Sequence, residues 1–322
     1  MISPAVDVVI VGYRSVGFLE PAVASVAHDE NVGALILVDN ASGDGTADLG
    51  RKLGMQVAET EENLGFARAV NIGVRLSSAP YVLLLNPDAR MLPGALARLA
   101  ETLDGQPQAA MASALLHFTD GSYANGCRHF STLANRILPD MPIANRLAAA
   151  RAEYDDSLYE RDEPIQAVDW LGAAALLVRR SFLDEIGGLD QRFFLYSEDE
   201  DLGWAARARG YTCVVRLDAP AEHEIGFNTT EWRVSQPRLL AAQRQLFEKW
   251  RGPGIARAFD LGVLTAFVAQ VVTAALTAPS RLGEQREIAL AARRALAFAR
   301  LRSKQARVAG AFPPVAADPA GA

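Results

Sequence analysis

The chain has 322 residues, 50% of them hydrophobic, with two cysteines and a formal net charge of −6. That length and composition support one large domain with an appendage, and exclude a disordered chain or a disulfide scaffold. The charge is uneven: residues 1–250 hold 22 Lys and Arg against 34 Asp and Glu, whereas residues 251–322 hold 10 against 4. An acidic body argues against nucleic acid as the main partner, and a basic end beside an apolar stretch favours an anionic membrane surface.

In chain order, short β-branched runs alternate with helical patterns, the signature of a sheet wrapped by helices. Strands are expected at Val8–Val11, Leu35–Val38, Gln56–Ala58 and Tyr81–Leu85. Helices are expected at Phe18–Ala27, Thr46–Leu53 and Phe66–Leu76, then Pro93–Leu103. A strand near Met111–Leu116 follows, and the pattern weakens from Phe118 to Glu163, a variable excursion. Regularity returns with Val168–Gly172 and a strand at Ala175–Val178. A helix from Ser181 to Ile186, the turn Gly187-Gly188, a helix from Asp201 to Arg209 and a strand from Cys213 to Leu217 complete the body.

Residues 1–250 are therefore expected to form the catalytic domain, 251–308 a helical extension and 309–322 a disordered Ala/Pro/Gly-rich tail. Residues 261–280 contain no charged side chain, and 281–307 read as a basic helix with Arg281, Arg286, Arg293, Arg294, Arg300, Arg302, Lys304 and Arg307. A helix pair lying on the membrane surface over 254–307 is favoured over a spanning helix, with a hairpin packed on the body or on a second subunit as the bland alternative. Cys127 and Cys213 lack metal-site spacing and fit a reducing cytoplasm. Met1–Asp7 lacks the basic and apolar segments of a secretory signal, so the catalytic part is expected inside the cell.

Ligands of open α/β sheets bind at the carboxyl ends of the strands, where Tyr13, Asp39, Asn63 and Asp88 gather. Asp39 is placed either to accept the imide N–H of uracil or thymine or to satisfy turn backbone. On the helix after Asn63 and Gly65, Arg68 and Asn71 fall three residues apart on one face; with Asn63 both are candidates to bind the nucleotide, and a guanidinium there suits its phosphates. Asn86-Pro87-Asp88 ends an apolar strand. A carboxylate there suits a hard divalent cation such as Mg2+ or Mn2+, although all three residues also suit a turn. His223 is an acceptable Mn2+ ligand that closes the site from the far side, or a surface ion-pair residue. The run Glu198-Asp199-Glu200-Asp201 supplies a general base, most plausibly Asp199, with helix capping as the alternative. Trp170 offers a stacking face and Gly172 close backbone approach, although a core Trp is routine. GxGxxG, GxxxxGK[ST] and GxSxG are absent, which disfavours dinucleotide oxidoreductases, P-loop NTPases and α/β-hydrolases.

Six elements in order carry a family resemblance: Val9–Tyr13, Val38–Thr46, Asn63–Gly73, Leu85–Asp88, Trp170–Ala173, and Gly187–Asp190 leading into Phe194–Leu202. Together they resemble family 2 of the inverting nucleotide-sugar glycosyltransferases, in its rhamnosyltransferase-like branch, over about Val6 to Gly226. The resemblance implies an α/β, GT-A (Rossmann-like), mostly parallel sheet flanked by helices. It implies that Gly12, Tyr13 and Asp39 hold the base and that Arg68 holds the nucleotide or diphosphate. Asp88 and His223 would bind the metal, with Asn86 in place of an Asp of the Asp-X-Asp element. Asp199 would act as base and Gly172 would border the acceptor. Also implied are a nucleoside-diphosphate sugar as donor, dTDP-rhamnose first, and a glycan or lipid-linked acceptor at the cytoplasmic membrane face. A homo-oligomer is possible on this reading. A sugar-phosphate nucleotidyltransferase fits less well, because Gly12–Gly17 is too short and poorly charged for its phosphate loop. A silent carbohydrate-binding scaffold conflicts with the intact Asp88 and Asp199.

Overall fold

The computed structural model describes residues 6–123, 127–138, 162–224, 232–277, 280 and 282–308. The tail from Ala309, much of the excursion between Phe118 and Glu163, and Gly226 lie outside the described residues.

β1 (Val6–Gly12), α1 (Leu19–Ala24), β2 (Val32–Asp39), α2 (Thr46–Lys52), β3 (Gln56–Glu59), α3 (Phe66–Leu76) and β4 (Tyr81–Leu85) form the alternating first third. β5 (Ala89–Met91), α4 (Ala95–Gly105), β6 (Ala109–Phe118), β7 (Cys127–Arg128) and α5 (Leu133–Ile137) follow. Then come β8 (Ile165–Val168), β9 (Trp170–Leu171), β10 (Ala175–Arg179), α6 (Arg180–Ile186), α7 (Glu198–Ala208) and β11 (Thr212–His223). Two long helices end the described chain, α8 (Trp232–Thr277) and α9 (Leu282–Val308). All five residues of β4 are buried, as are five of the first six of β1, which is why both read as unbroken Val/Leu/Ile runs rather than alternating patterns.

The nine-stranded sheet has the order β3-β2-β1-β4-β10-β6-β11-β5, with β8 also on β11. Its first four strands are parallel. The expectation of a mostly parallel sheet holds, with β6 and β11 running the same way as these four, and three strands oppose them: β10 lies antiparallel between β4 and β6, and β5 and β8 pair antiparallel with β11. A buried apolar run reads alike in either direction, so its composition does not encode orientation. β11 also outruns its expected end at Leu217. A register shift between Arg216 and Pro220 absorbs the proline, and the strand continues to His223, level with Ala89 and Phe118.

Under the opposite ends of these strands, buried Asp7 fixes the layer. Its Oδ1 accepts from Ala34 N (2.8 Å), and its Oδ2 from Ser78 N (2.7 Å) and Ala79 N (2.9 Å). Burial pushes the carboxyl pKa up, but these backbone donors outweigh it and hold the group below its ordinary value.

Chain contacts divide the molecule into two compact units. The first, Met1–Arg128, Asp155–Phe194 and Glu198–Phe227, contains the sheet and all the candidate site residues. The second, His129–Tyr154, Leu195–Ser197 and Asn228–Ala322, contains α5, α8 and α9. α8 runs through the expected boundary at 250/251, although Gly252 (φ 82°, ψ 171°) breaks its helical geometry there. Phe247, Phe259 and Phe267 of α8 pack with Ala292 and Leu296 of α9 and Ile137 of α5, so the extension has a core of its own. Within it Asp260, 1% exposed, accepts from Arg244 Nε (3.2 Å) and Arg300 Nε (2.8 Å), and Arg244 also donates to Glu248 (2.6 Å).

Removing the shared acid leaves the buried Arg244 short of a counter-charge. Asp260→Asn is expected to lower unfolding stability by about 3 kcal/mol. Arg300→Ala, whose side chain is 52% exposed, is expected to cost less than about 1 kcal/mol. Denaturant melts of the two variants check the contrast.

Candidate active site

One end of the candidate site is built where β1, β2 and β3 finish. Gly12 and Asp39 are register partners, and Asn40 N donates to Gly12 O at 2.8 Å. A Cβ at Gly12 would lie 2.9 Å from Thr46 Cγ2, so this glycine lets the turn before α2 pack against the strand end. Tyr13 stands 41% exposed with the Arg14 guanidinium 5.4 Å from its ring centre. Buried Asp39 accepts from Ser42 N through Oδ1 (3.0 Å), which leaves Oδ2 without a protein partner among the described residues. Asn40 ties the loops together: its Oδ1 accepts from Leu64 N (2.8 Å) and its Nδ2 donates to Asn63 Oδ1 (3.1 Å). Asn63 Oδ1 also accepts from Gly65 N (2.9 Å), so its side chain shapes the turn. Arg68 is exposed on α3, and no hydrogen bond or ion pair engages its guanidinium among the described residues.

Asp88 and His223 meet. Asp88 follows β4, whose end is anchored by Asn86 N donating to Ala174 O (2.9 Å), and His223 is the last residue of β11. Pairing of β5 with β11 brings His223 opposite Ala89, and Glu224 N donates to Asp88 O (3.0 Å). His223 Nε2 then stands 3.2 Å from Asp88 Oδ1, with Asp88 7% exposed and the imidazole stacked at 18° on Phe118. No group of three or more His, Cys, Asp or Glu with metal-binding spacing occurs among the described residues. Two neighbouring donors, one carboxylate and one imidazole, nonetheless fit a Mn2+-type ion. Adjacent ligands of an octahedral ion with bonds of ~2.1 Å stand ~3 Å apart. Phe118 carries no sequence signal for this role, since its place beside His223 depends on the register shift in β11.

The acidic helix is attached through α3. The Asn71 side chain is buried. Its Nδ2 donates to Leu189 O (2.8 Å), and its Oδ1 accepts from Leu189 N (2.8 Å). This corrects the expectation that Asn71 binds the nucleotide: both halves of its amide hold the backbone after the Gly187-Gly188 turn. Nearby, Phe66 N donates to Phe194 O (2.7 Å), and a Cβ on Gly65 (φ 84°) would come within 2.3 Å of that oxygen. Only glycine allows both the backbone angle and the approach. Just past this clamp Tyr196 (φ 73°) and Ser197 (φ 63°) take left-handed conformations, and α7 begins.

α7 starts at Glu198, three residues earlier than expected, so the four acids form its first turn. Further along, a Cβ on Gly203 would lie 2.5 Å from Trp170 Cβ, and Arg207 pairs with Asp169 at 3.9 Å. Trp170 is 3% exposed beneath this helix, which corrects the expectation of a stacking face for sugar. Gly172, two residues on, has nothing within 4 Å of a built Cβ and faces open space. Glu198 and Asp199 differ sharply. Glu198 is buried with Oε2 unpartnered, and burial, then the neighbouring Asp199 and Asp201 charges, push its pKa from 4.5 up to about 8. Asp199 is half-buried, its Oδ1 accepting from Glu200 N at 2.9 Å. Of the two expected catalytic acids, only Asp199 suits a base at neutral pH, because Glu198 there already holds its proton.

A family model described as Glycosyl transferase family 2 matches residues 7–156. An N-acetylglucosaminyl-diphospho-decaprenol L-rhamnosyltransferase of Mycobacterium tuberculosis is 30% identical over 238 residues, covering 69% of this chain and 76% of that protein. Rhamnosyltransferase WbbL of Escherichia coli is 29% identical over 172 residues, 51% of this chain and 61% of that one. Among solved structures, a mannosyltransferase of Pyrobaculum calidifontis in complex with GDP-Man and Mn2+ superposes with a TM-score of 0.57 at 16% identity, covering 94% of this chain and 87% of that chain. At that identity the likeness speaks for the fold.

Glu198 also makes stability depend on pH. Its folded value, about 8, lies above the ordinary 4.5. Its contribution is therefore fully present below 4.5 and is lost as pH rises through 8. Glu198→Gln is expected to remove this slope. Thermal melts across that interval should show the parent losing stability faster than the variant.

Proposed function

The chain belongs to glycosyl transferase family 2, in its rhamnosyltransferase-like branch, and on that premise we propose an inverting transfer of a hexose from a nucleoside-diphosphate sugar to a lipid-linked glycan. The donor proposed first is dTDP-rhamnose, and the setting is cell-surface polysaccharide synthesis at the cytoplasmic face of the membrane. The M. tuberculosis relative, named for a rhamnosyl transfer to N-acetylglucosaminyl-diphospho-decaprenol, supports the choice of donor sugar and acceptor class. The observation that carries the reading is the meeting of Asp88 and His223, 135 residues apart in sequence, at the carboxyl ends of the strands.

On this reading Asp39 Oδ2 accepts the imide N–H of the base, and the exposed Tyr13 ring offers it a stacking face. The Arg68 guanidinium, held by no carboxylate among the described residues, serves the diphosphate with permanently charged donors. Asp88 and His223 would hold a Mg2+ or Mn2+ ion, with Asn86 beside them. When bound, such an ion supplies positive charge that offsets the departing diphosphate. One carboxylate and one imidazole are few protein ligands for a free cation, so metal and nucleotide are expected to bind together.

Asp199 accepts the proton of the acceptor hydroxyl as that oxygen attacks the anomeric carbon. The new C–O bond forms on the face opposite the leaving group, the bond to the diphosphate oxygen breaks, and the configuration inverts. Its neighbour Glu198, being neutral, leaves Asp199 as the charged oxygen of that pair, while Gly172 leaves room for the acceptor.

Asp199→Asn is expected to lower kcat by about 10²- to 10⁴-fold while leaving the thermal stabilisation by nucleotide and Mn2+ unchanged. Asp88→Asn is expected to abolish the Mn2+-dependent part of that stabilisation. A panel of nucleotide sugars with and without Mn2+ reads out both effects and ranks the donors. Unchanged turnover in Asp199→Asn would remove the base assignment.

A further inference from the structure

The second unit presents a surface that the transfer chemistry leaves unused. In α8 beyond Gly252, Phe259, Val263, Ala266 and Phe267 face the unit's own core. On the opposite side Leu261, Val268, Val272 and Leu276 are 68%, 62%, 51% and 80% exposed. With Thr265 between the first two, they follow spacings of four, three, four and four, so they make one stripe about 22 Å long at 1.5 Å per residue. Four large aliphatic side chains in a continuous exposed row mark an interaction face rather than the scattered apolar residues of an ordinary surface.

Charge identifies what the row meets. α9 folds back along α8, and its buried positions Ala292, Leu296 and Ala299 lie on one side. Another side carries exposed Arg286, Leu290 and Arg293, with Arg294 next to them. None of these three arginines is engaged in an ion pair among the described residues, whereas Arg300 is held by Asp260. Residues 251–322 carry 10 basic and 4 acidic side chains, and none of either kind falls between 261 and 280. An uncharged aliphatic row on one helix and unpaired arginines on the helix packed with it complement a bilayer with anionic headgroups, the aliphatic side chains entering the acyl boundary and the guanidinium groups meeting phosphate. A second copy of this chain would bring the same unpaired positive charges together, so charge disfavours it.

We propose that α8 and α9 form a docking surface for an anionic lipid bilayer, with Leu261, Val268, Val272 and Leu276 inserting and Arg286, Arg293 and Arg294 at the headgroups. The helices lie on the bilayer. Pro237–Thr277 contains a stretch long and apolar enough to cross it, but crossing there would bring Asp260, the acid shared by Arg244 and Arg300, to the membrane boundary and take Phe259, Val263 and Phe267 from their packing with α9. The surface suits the membrane-borne acceptor proposed above, yet its test is independent of catalysis.

Vesicle flotation of the full-length chain tests it, using phosphatidylcholine alone and phosphatidylcholine mixed with phosphatidylglycerol. The parent protein is expected to float with the mixed vesicles and far less with phosphatidylcholine. Val268→Glu with Val272→Glu and Leu276→Glu should lose flotation on both. Arg286→Glu with Arg293→Glu and Arg294→Glu should bind the anionic vesicles on the order of a hundredfold more weakly or less. All six positions are exposed, and unchanged nucleotide thermal shifts in both variants would show that the fold and donor site are intact. Equal flotation of the parent and the triple-Glu apolar variant would overturn the proposal. So would a parent that stays with the soluble fraction, or one that forms a dimer in light scattering which the apolar variant dissolves without any lipid binding.

Discussion

The amide of Asn71 joins two stretches of chain 118 residues apart, and the candidate site depends on that join. Both of its hydrogen bonds go to the backbone of Leu189, in a buried setting where an unpaired donor or acceptor costs about 1–3 kcal/mol. Gly65 and Phe66 seat the same segment again at Phe194. Because that segment leads directly into α7, the clamp fixes the start of the acidic helix relative to the helix that carries Arg68. The proposed nucleotide site and the proposed base, from distant parts of the sequence, are thereby tied to one body, the condition for positioning a hydroxyl and an anomeric carbon together.

Within that body, environment assigns work to residues of the same chemical type. Asp7 is buried but surrounded by backbone donors, so it stays charged and structural. Glu198 is buried with one carboxyl oxygen unpartnered beside two other acids, and burial and those charges push its pKa up towards the protonated form. Asp199, next to it, remains partly open to solvent. Asp88 faces an imidazole in place of a guanidinium, and an imidazole nitrogen can join the carboxylate as a metal ligand where an arginine could only neutralise it. Four carboxyl groups thus serve four purposes, and the difference lies in their donors and their burial.

Much of this was legible in the sequence. Apolar runs ending in Gly12, Asp39 and Leu85 gave the parallel strands and the end at which polar residues collect, because strand direction and loop position follow from the alternation with helices. Less visible were features set by tertiary geometry. Asn71 and Trp170 read as site residues because of their chemical type, and only their burial reveals that one holds a turn and the other underlies α7. The contact between His223 and Asp88 required β11 to pass Pro220 through a register shift and to pair with β5, a three-residue strand too short to show periodicity. The antiparallel course of β10 was hidden for a related reason: a strand buried on both faces has no pattern that distinguishes its two directions.

The account rests on Asp88 and His223 serving one ion beside a nucleotide whose base lies at Asp39. Anomalous diffraction at the manganese edge, from crystals grown with Mn2+ and dTDP, examines this directly. One peak within coordination distance of Asp88 and His223, with the pyrophosphate on it and the thymine against Asp39, is the expected result. A nucleotide bound elsewhere, or an ordered pyrophosphate with Asp88 and His223 still bonded to each other and no manganese between them, would contradict it.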